Sequence, residues 1–152
     1  MRRKANLDKK DLRILSILQK DGRASYSEIA RKMGMSEAAI YSRVQRLIKS
    51  GAIKKIQAIL DPEKLGYVIT AFISITAQPP KYNKVLKALS EIPETLEVHD
   101  VTGEHYCLVK VRVKDKETLT KTLDKIGTLD GVMSTETRIV LKTIKESYDL
   151  PL

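Results

Sequence analysis

The sequence predicts an α+β protein: a helix-turn-helix domain of winged-helix-like type over residues 1–52, a strand and hinge at 53–66, and a domain of βαββαβ order over 67–152. Three observations predict it. Apolar residues recur at helical spacing through residues 8–51, whereas several later segments alternate with a period of two. Between the two regimes lies a break, Asp61-Pro62-Glu63-Lys64-Leu65-Gly66, where proline removes a donor and restricts the residue before it.

Asp8 is placed to cap a first helix, whose broad apolar face comprises Leu12, Ile14, Leu15, Ile17 and Leu18. Asp21-Gly22 ends it. Ser25 and Glu28 then form an S-x-x-E capping box, Ile29, Ala30 and Met33 give a short apolar stripe, and Gly34 supplies a left-handed terminator. Ser36 caps a third helix that buries Ile40, Val44, Leu47 and Ile48 and stops at Gly51. Its other face carries Glu37, Ala38, Tyr41, Ser42, Gln45, Arg46 and Lys49, with Arg43 near the edge. Two helices around a glycine turn, the second polar and cationic outward, match the plan that sets a helix in the DNA major groove. A solvated charged face is the bland alternative for the same pattern.

The β-branched run Ile53–Leu60 reads as a strand leading into the hinge. Tyr67–Ala77 alternates, with Ile69, Ala71, Ile73 and Ile75 on one side and Thr70, Phe72, Ser74 and Thr76 on the other. Pro79-Pro80 turns into a helix over Lys81–Glu91. Leu96, Val98 and Val101 suggest a strand that bulges or ends near Asp100, and Thr102-Gly103-Glu104 is the turn after it. His105–Val113 is the next strand, Lys116–Gly127 a helix, and Val132–Thr143 a long final strand. This order is the ferredoxin-like arrangement. One face of such a sheet lacks helices, and Phe72, Tyr106 and Leu108 on it suggest pairing with a second copy, because wet apolar surface is costly.

The net charge is +9, and it is uneven: residues 1–60 hold fifteen Lys/Arg against five Asp/Glu, while the remainder is nearly balanced. That asymmetry assigns a polyanionic partner to the first part and another task to the second. No apolar run approaches the roughly 18–20 residues a bilayer span needs, and the basic start leads into charged sequence rather than a signal core. No membrane partner and a cytoplasmic location are therefore expected. The single cysteine, Cys107, allows neither an intrachain disulfide nor a multi-thiolate zinc site and reads as core.

Phosphate contacts are assigned to Arg31, Lys32, Arg43, Lys49 and the arm Arg2-Arg3-Lys4. Base reading is assigned to Glu37, Ala38, Tyr41, Ser42 and Gln45, where glutamine suits adenine and alanine or tyrosine a thymine methyl. Ser36 and Arg46 complete the DNA-facing set, although Glu28 and Asp21 are alternative partners for Arg46.

The run Leu12–Leu18, Asp21-Gly22-Arg23, the stretch from Ser25 to Ser36, and Val44-Gln45-Arg46-Leu47 through Ile53 resemble the DNA-binding half of the Lrp/AsnC (feast/famine) transcription regulators. Val101–Leu108 resembles the glycine-centred turn in the amino-acid-sensing half of that family. The resemblance spans nearly the whole chain. It implies dimers that assemble further, here expected as an octamer, with DNA bound through paired helix-turn-helix units and an amino-acid effector held between dimers. It also implies an effector pocket around Asp100, Val101, Thr102, Gly103, Glu104, His105 and Tyr106, with Ser134, Thr135 and Thr137 of the last strand nearby. Gly103 lets backbone amides approach a carboxylate, and Glu104 or Asp100 has the charge to hold an ammonium group. Glu104-His105 departs from the commoner family pattern, which leaves the effector's identity open.

Two rivals stand beside this reading. His99, Asp100, Glu104 and His105 have metal-ligand chemistry, but strand alternation sets His99 and Asp100 on opposite faces. No phosphate loop, nucleophile elbow or catalytic triad is visible, so neither a metal, a catalytic residue nor another cofactor is expected. The second rival is an amino-acid-sensing accessory module acting through protein–protein contacts.

Overall fold

The computed structural model describes residues 6–152. The chain divides into two compact units, one ending at Leu60 and including Glu146–Leu152, the other spanning Asp61–Lys145.

The first unit contains three helices: α1 (Lys9–Lys20), α2 (Tyr26–Met33) and α3 (Glu37–Lys49). Each begins where a side chain satisfies the unpaired amides of a helix start. The Asp8 carboxylate accepts from the Asp11 amide and the Ser36 hydroxyl from the Ala39 amide. At α2, the Ser25 hydroxyl accepts from the Glu28 amide at 3.2 Å, while the Glu28 carboxylate accepts from the Ser25 amide at 2.8 Å. Ile14, Ile29, Ile40, Val44 and Leu47 form the shared core. Ile48, expected inside, is exposed; the buried stripe of α3 is Ile40, Val44 and Leu47, narrower than the apolar spacing suggests. Likewise Leu12 is exposed, and α1 buries Asp11 beside Ile14.

The run 53–60, expected as a strand, forms none. A ladder needs a neighbouring edge to exchange hydrogen bonds with, and no strand of this unit offers one among the described residues. Ile56, Ile59 and Leu60 stay exposed. The tail returns to the first unit, where the Gln19 side-chain amide donates to the Leu150 carbonyl at 2.8 Å and accepts from the Leu150 amide at 3.1 Å.

The second unit follows the βαββαβ order: β1 (Ile69–Ala77), α4 (Tyr82–Ser90), β2 (Thr95–Asp100), β3 (Cys107–Val113), α5 (Lys116–Gly127) and β4 (Val132–Ile139). The sheet order is β2-β3-β1-β4, and all neighbours are antiparallel. Ala71, Ile73, Ile75, Cys107, Val109 and Val111 face Val85, Leu89, Leu119 and Ile126 of the two helices. Several ends differ from the sequence expectation. β3 begins two residues later, and β4 stops at Ile139 rather than Thr143. β2 does end at Asp100, but its register shift lies between Thr95 and Glu97.

The helix-free sheet face is more polar than expected. Phe72 lies opposite Lys110 on β3 and Arg138 on β4, and Leu108 lies opposite Ser74 and His99. The Arg138 guanidinium donates to the Ser74 hydroxyl at 3.0 Å, and Lys110 Nζ lies 3.4 Å from Glu97. Alternation reports which residues leave the core, but it says little about whether polar neighbours surround them.

Candidate nucleic-acid interface and effector loop

Helix α3 buries Ile40, Val44 and Leu47, and this fixes what points outward. Ser36, Glu37, Ala38, Tyr41, Ser42, Gln45, Arg46 and Lys49 are all exposed, as are Arg31 and Lys32 on α2. Arg43 is half-buried. The assigned arm Arg2-Arg3-Lys4 lies outside the described residues. Tyr41 meets the Tyr26 ring edge-on, centroids 5.8 Å apart, so an aromatic pair braces the α2–α3 junction.

The two arginines of α3 are tied to α1. Arg43 Nη1 donates to Asp8 at 2.7 Å and to Asp11 at 2.8 Å, and Arg46 Nη2 reaches both Asp11 oxygens at 2.7 and 2.6 Å. The Arg46 partner is thus Asp11, rather than Glu28 or Asp21. Asp11 is wholly buried, and a buried carboxylate persists where cations and amides satisfy it. Arg43 holds the Asp8 carboxyl below its ordinary range. Sequence reasoning missed Asp11; the Asp8-x-x-Asp11 spacing of a capping box carried the signal.

The loop 101–106 joins β2 to β3, closed by the Val101 amide donating to the Tyr106 carbonyl at 2.9 Å. Gly103 sits at φ 125°, a left-handed-side conformation that favours glycine. The loop is held from both sides of the sheet. On the helix side, the Tyr82 hydroxyl of α4 lies 2.8 Å from Asp100 and 2.6 Å from the Tyr106 carbonyl. Burial, with Asp100 beside it, pushes the Tyr82 phenol up to about 12. On the open side, His105 Nδ1 lies 3.0 Å from the Thr76 hydroxyl and its Nε2 lies 3.3 Å from Glu136.

The assigned loop and β4 residues do not converge on one side. Ser134 lies opposite Thr76 on the open face, beside the His105 contact, whereas Thr135 and Thr137 lie opposite Ile75 and Ile73 on the helix side. Thr102, Gly103, Glu104 and Tyr106 are exposed, and Val101 is half-buried. Neither Tyr82 nor Glu136 was foreseen: Tyr82 comes from an element distant in sequence, and Glu136 was passed over between the assigned hydroxyls of Thr135 and Thr137. His99 faces Leu108 and Asp100 faces Cys107, on opposite sides of the sheet. Among the described residues no three His, Cys, Asp or Glu side chains group as a metal site, and no helix is long and apolar enough to cross a membrane.

The family model for the AsnC-type helix-turn-helix domain matches residues 7–48, and that for the Lrp/AsnC ligand binding domain matches residues 70–150. The chain belongs to the Lrp/AsnC family. The HTH-type transcriptional regulator FL11 of Pyrococcus horikoshii is 45% identical over 96% of this chain and 97% of its own length. The structure of Escherichia coli AsnC matches with a TM-score of 0.87 at 30% identity, covering 93% of this chain and 97% of that one. A Neisseria meningitidis transcriptional regulator in complex with L-Met matches with a TM-score of 0.90 at 28% identity, covering 96% and 97%. This Lrp/AsnC protein is a transcriptional regulator with a DNA-binding helix-turn-helix and a ligand-binding domain, and not an enzyme.

Proposed function

We propose that this regulator binds duplex DNA sequence-specifically through α3, and that an amino-acid effector bound between dimers modulates its assembly and its hold on DNA. The observation that carries the reading is the division of α3: a buried stripe of Ile40, Val44 and Leu47, with Ala38, Tyr41, Ser42 and Gln45 exposed. Side chains at such positions reach base edges, while Arg31, Lys32 and Lys49 carry the charge that phosphates demand. A cytoplasmic location fits that role.

For the effector, support comes from a loop pinned on both sheet faces yet exposed at Thr102–Glu104. The L-Met complex of the Neisseria relative points to an amino acid as the ligand class. Ser134 and His105 approach the open face together, which favours them over Thr135 and Thr137 as polar contacts.

Fluorescence anisotropy against a mixed-sequence duplex tests the DNA reading. The binding constant should fall steeply with salt, and Lys49→Ala should reduce the log–log slope by about one unit. Arg43→Ala, at another position assigned a phosphate contact, should move it less, because Asp8 and Asp11 already balance that charge. Affinity indifferent to salt would contradict the assignment. Calorimetry with each common amino acid tests the effector reading; no heat from any of them retires the pocket.

A further inference from the structure

Helix α1 buries two side chains, Ile14 and Asp11, and the second is a carboxylate. Asp11 stands behind the two arginines of α3. Its Oδ1 accepts from Arg43 and Arg46, and its Oδ2 from Arg46 and the Asp8 amide. The Arg46 side chain is nevertheless 56% exposed and that of Arg43 25%, so both remain within reach of solvent while tethered from the rear. An arginine that must be ordered on docking costs conformational entropy; one already ordered does not.

We propose that Asp11 is a positioning residue of the DNA interface, fixing the Arg43 and Arg46 guanidiniums before the duplex arrives. The inference rests on α3 being the DNA-reading helix. It makes a prediction opposite in sign to simple electrostatics. A carboxylate close to a polyanion opposes binding, so removing its charge alone should tighten every complex. Removing a positioning group instead loosens the complex whose geometry matters, the one with a preferred sequence.

The test uses the full chain. A duplex enriched by the wild-type protein from a randomised pool, and a scrambled duplex of equal composition, are titrated by anisotropy. Asp11→Asn should weaken binding to the enriched duplex about tenfold, and leave the scrambled duplex unchanged or up to about threefold tighter. A merely structural role would lower the active fraction and shift both duplexes alike. Equal change on both, or tighter binding to the enriched duplex, overturns the proposal. Should Asp11→Asn fail to fold, Arg46→Lys decides: it keeps the charge and so the salt slope, but replaces the planar guanidinium, which Asp11 holds through Nη2, by a point charge with no plane to orient. Its discrimination between the duplexes should then fall, and undiminished discrimination overturns the proposal. A wild-type protein that enriches no sequence sinks the reading of α3 itself, and this inference with it.

Discussion

Gly131 has a φ of 108°, and a methyl group there would lie 2.7 Å from the Lys81 Cβ. Both facts oppose any side chain, since the backbone conformation is strained for L-residues and the obstacle is close to a main chain. The same corner is tied by Lys81 and Lys84, which both pair with Asp130. Gly131→Ala should cost about 1–3 kcal/mol, read as a lowered urea midpoint. An unchanged midpoint would mean the α5–β4 corner yields freely. Cys107 makes the contrasting case. Burial pushes its thiol up to about 11, so it should resist alkylation in the folded protein, as the apolar alternation around it implies.

Among the elements, the helix starts share one electrostatic device. Arg43 holds the Asp8 carboxyl below its ordinary 3.8, and the Ser25 amide holds the Glu28 carboxyl below 4.5. The Thr118 amide does the same for Asp115 at α5. Each group is depressed in the folded state. Its contribution is therefore complete above the ordinary carboxylate value and lost as pH falls through the lower folded one. Urea midpoints should thus fall between about pH 5 and about pH 3. Replacing Glu28 by Gln should shrink that fall, and an acid-insensitive midpoint would contradict the capping account. These caps were legible in sequence, because Asp8, Ser25 and Ser36 act on residues three further along the chain. The helix α5 was legible over its full length from its apolar spacing, whereas its cap, Asp115 accepting from the Thr118 amide, was not read from the sequence. The run 53–60 was not. Its β-branched composition states a preference for extended backbone, while a strand also requires an edge that residues far away, or another copy, must supply.

For the whole molecule, the open sheet face sets the assembly question. Phe72 stands there with Lys110 and Arg138 on either side, a large apolar side chain flanked by cations. On the reading that sister copies pair through this face, Phe72→Lys should separate them, since a third cation on neighbouring strands repels its like across the interface. Sedimentation should then report a smaller species than wild type, with the circular dichroism unchanged because Phe72 lies outside the core. Identical sedimentation would remove the face as the assembly surface.

The division between α3's buried and exposed sides, Ile48 apart, the order of the sheet elements and the position of the glycine-centred loop were all present in the sequence. Each follows from contacts between residues a few positions apart or from strict periodicity. Tertiary structure alone decided that Asp11 stands behind Arg43 and Arg46, and that Tyr82 and His105 hold the 101–106 loop from opposite faces. It also decided that Ser134 parts company with Thr135 and Thr137. These arrangements depend on which distant elements become neighbours and in what register, and a shift of one residue along β4 would reverse every face assignment made there.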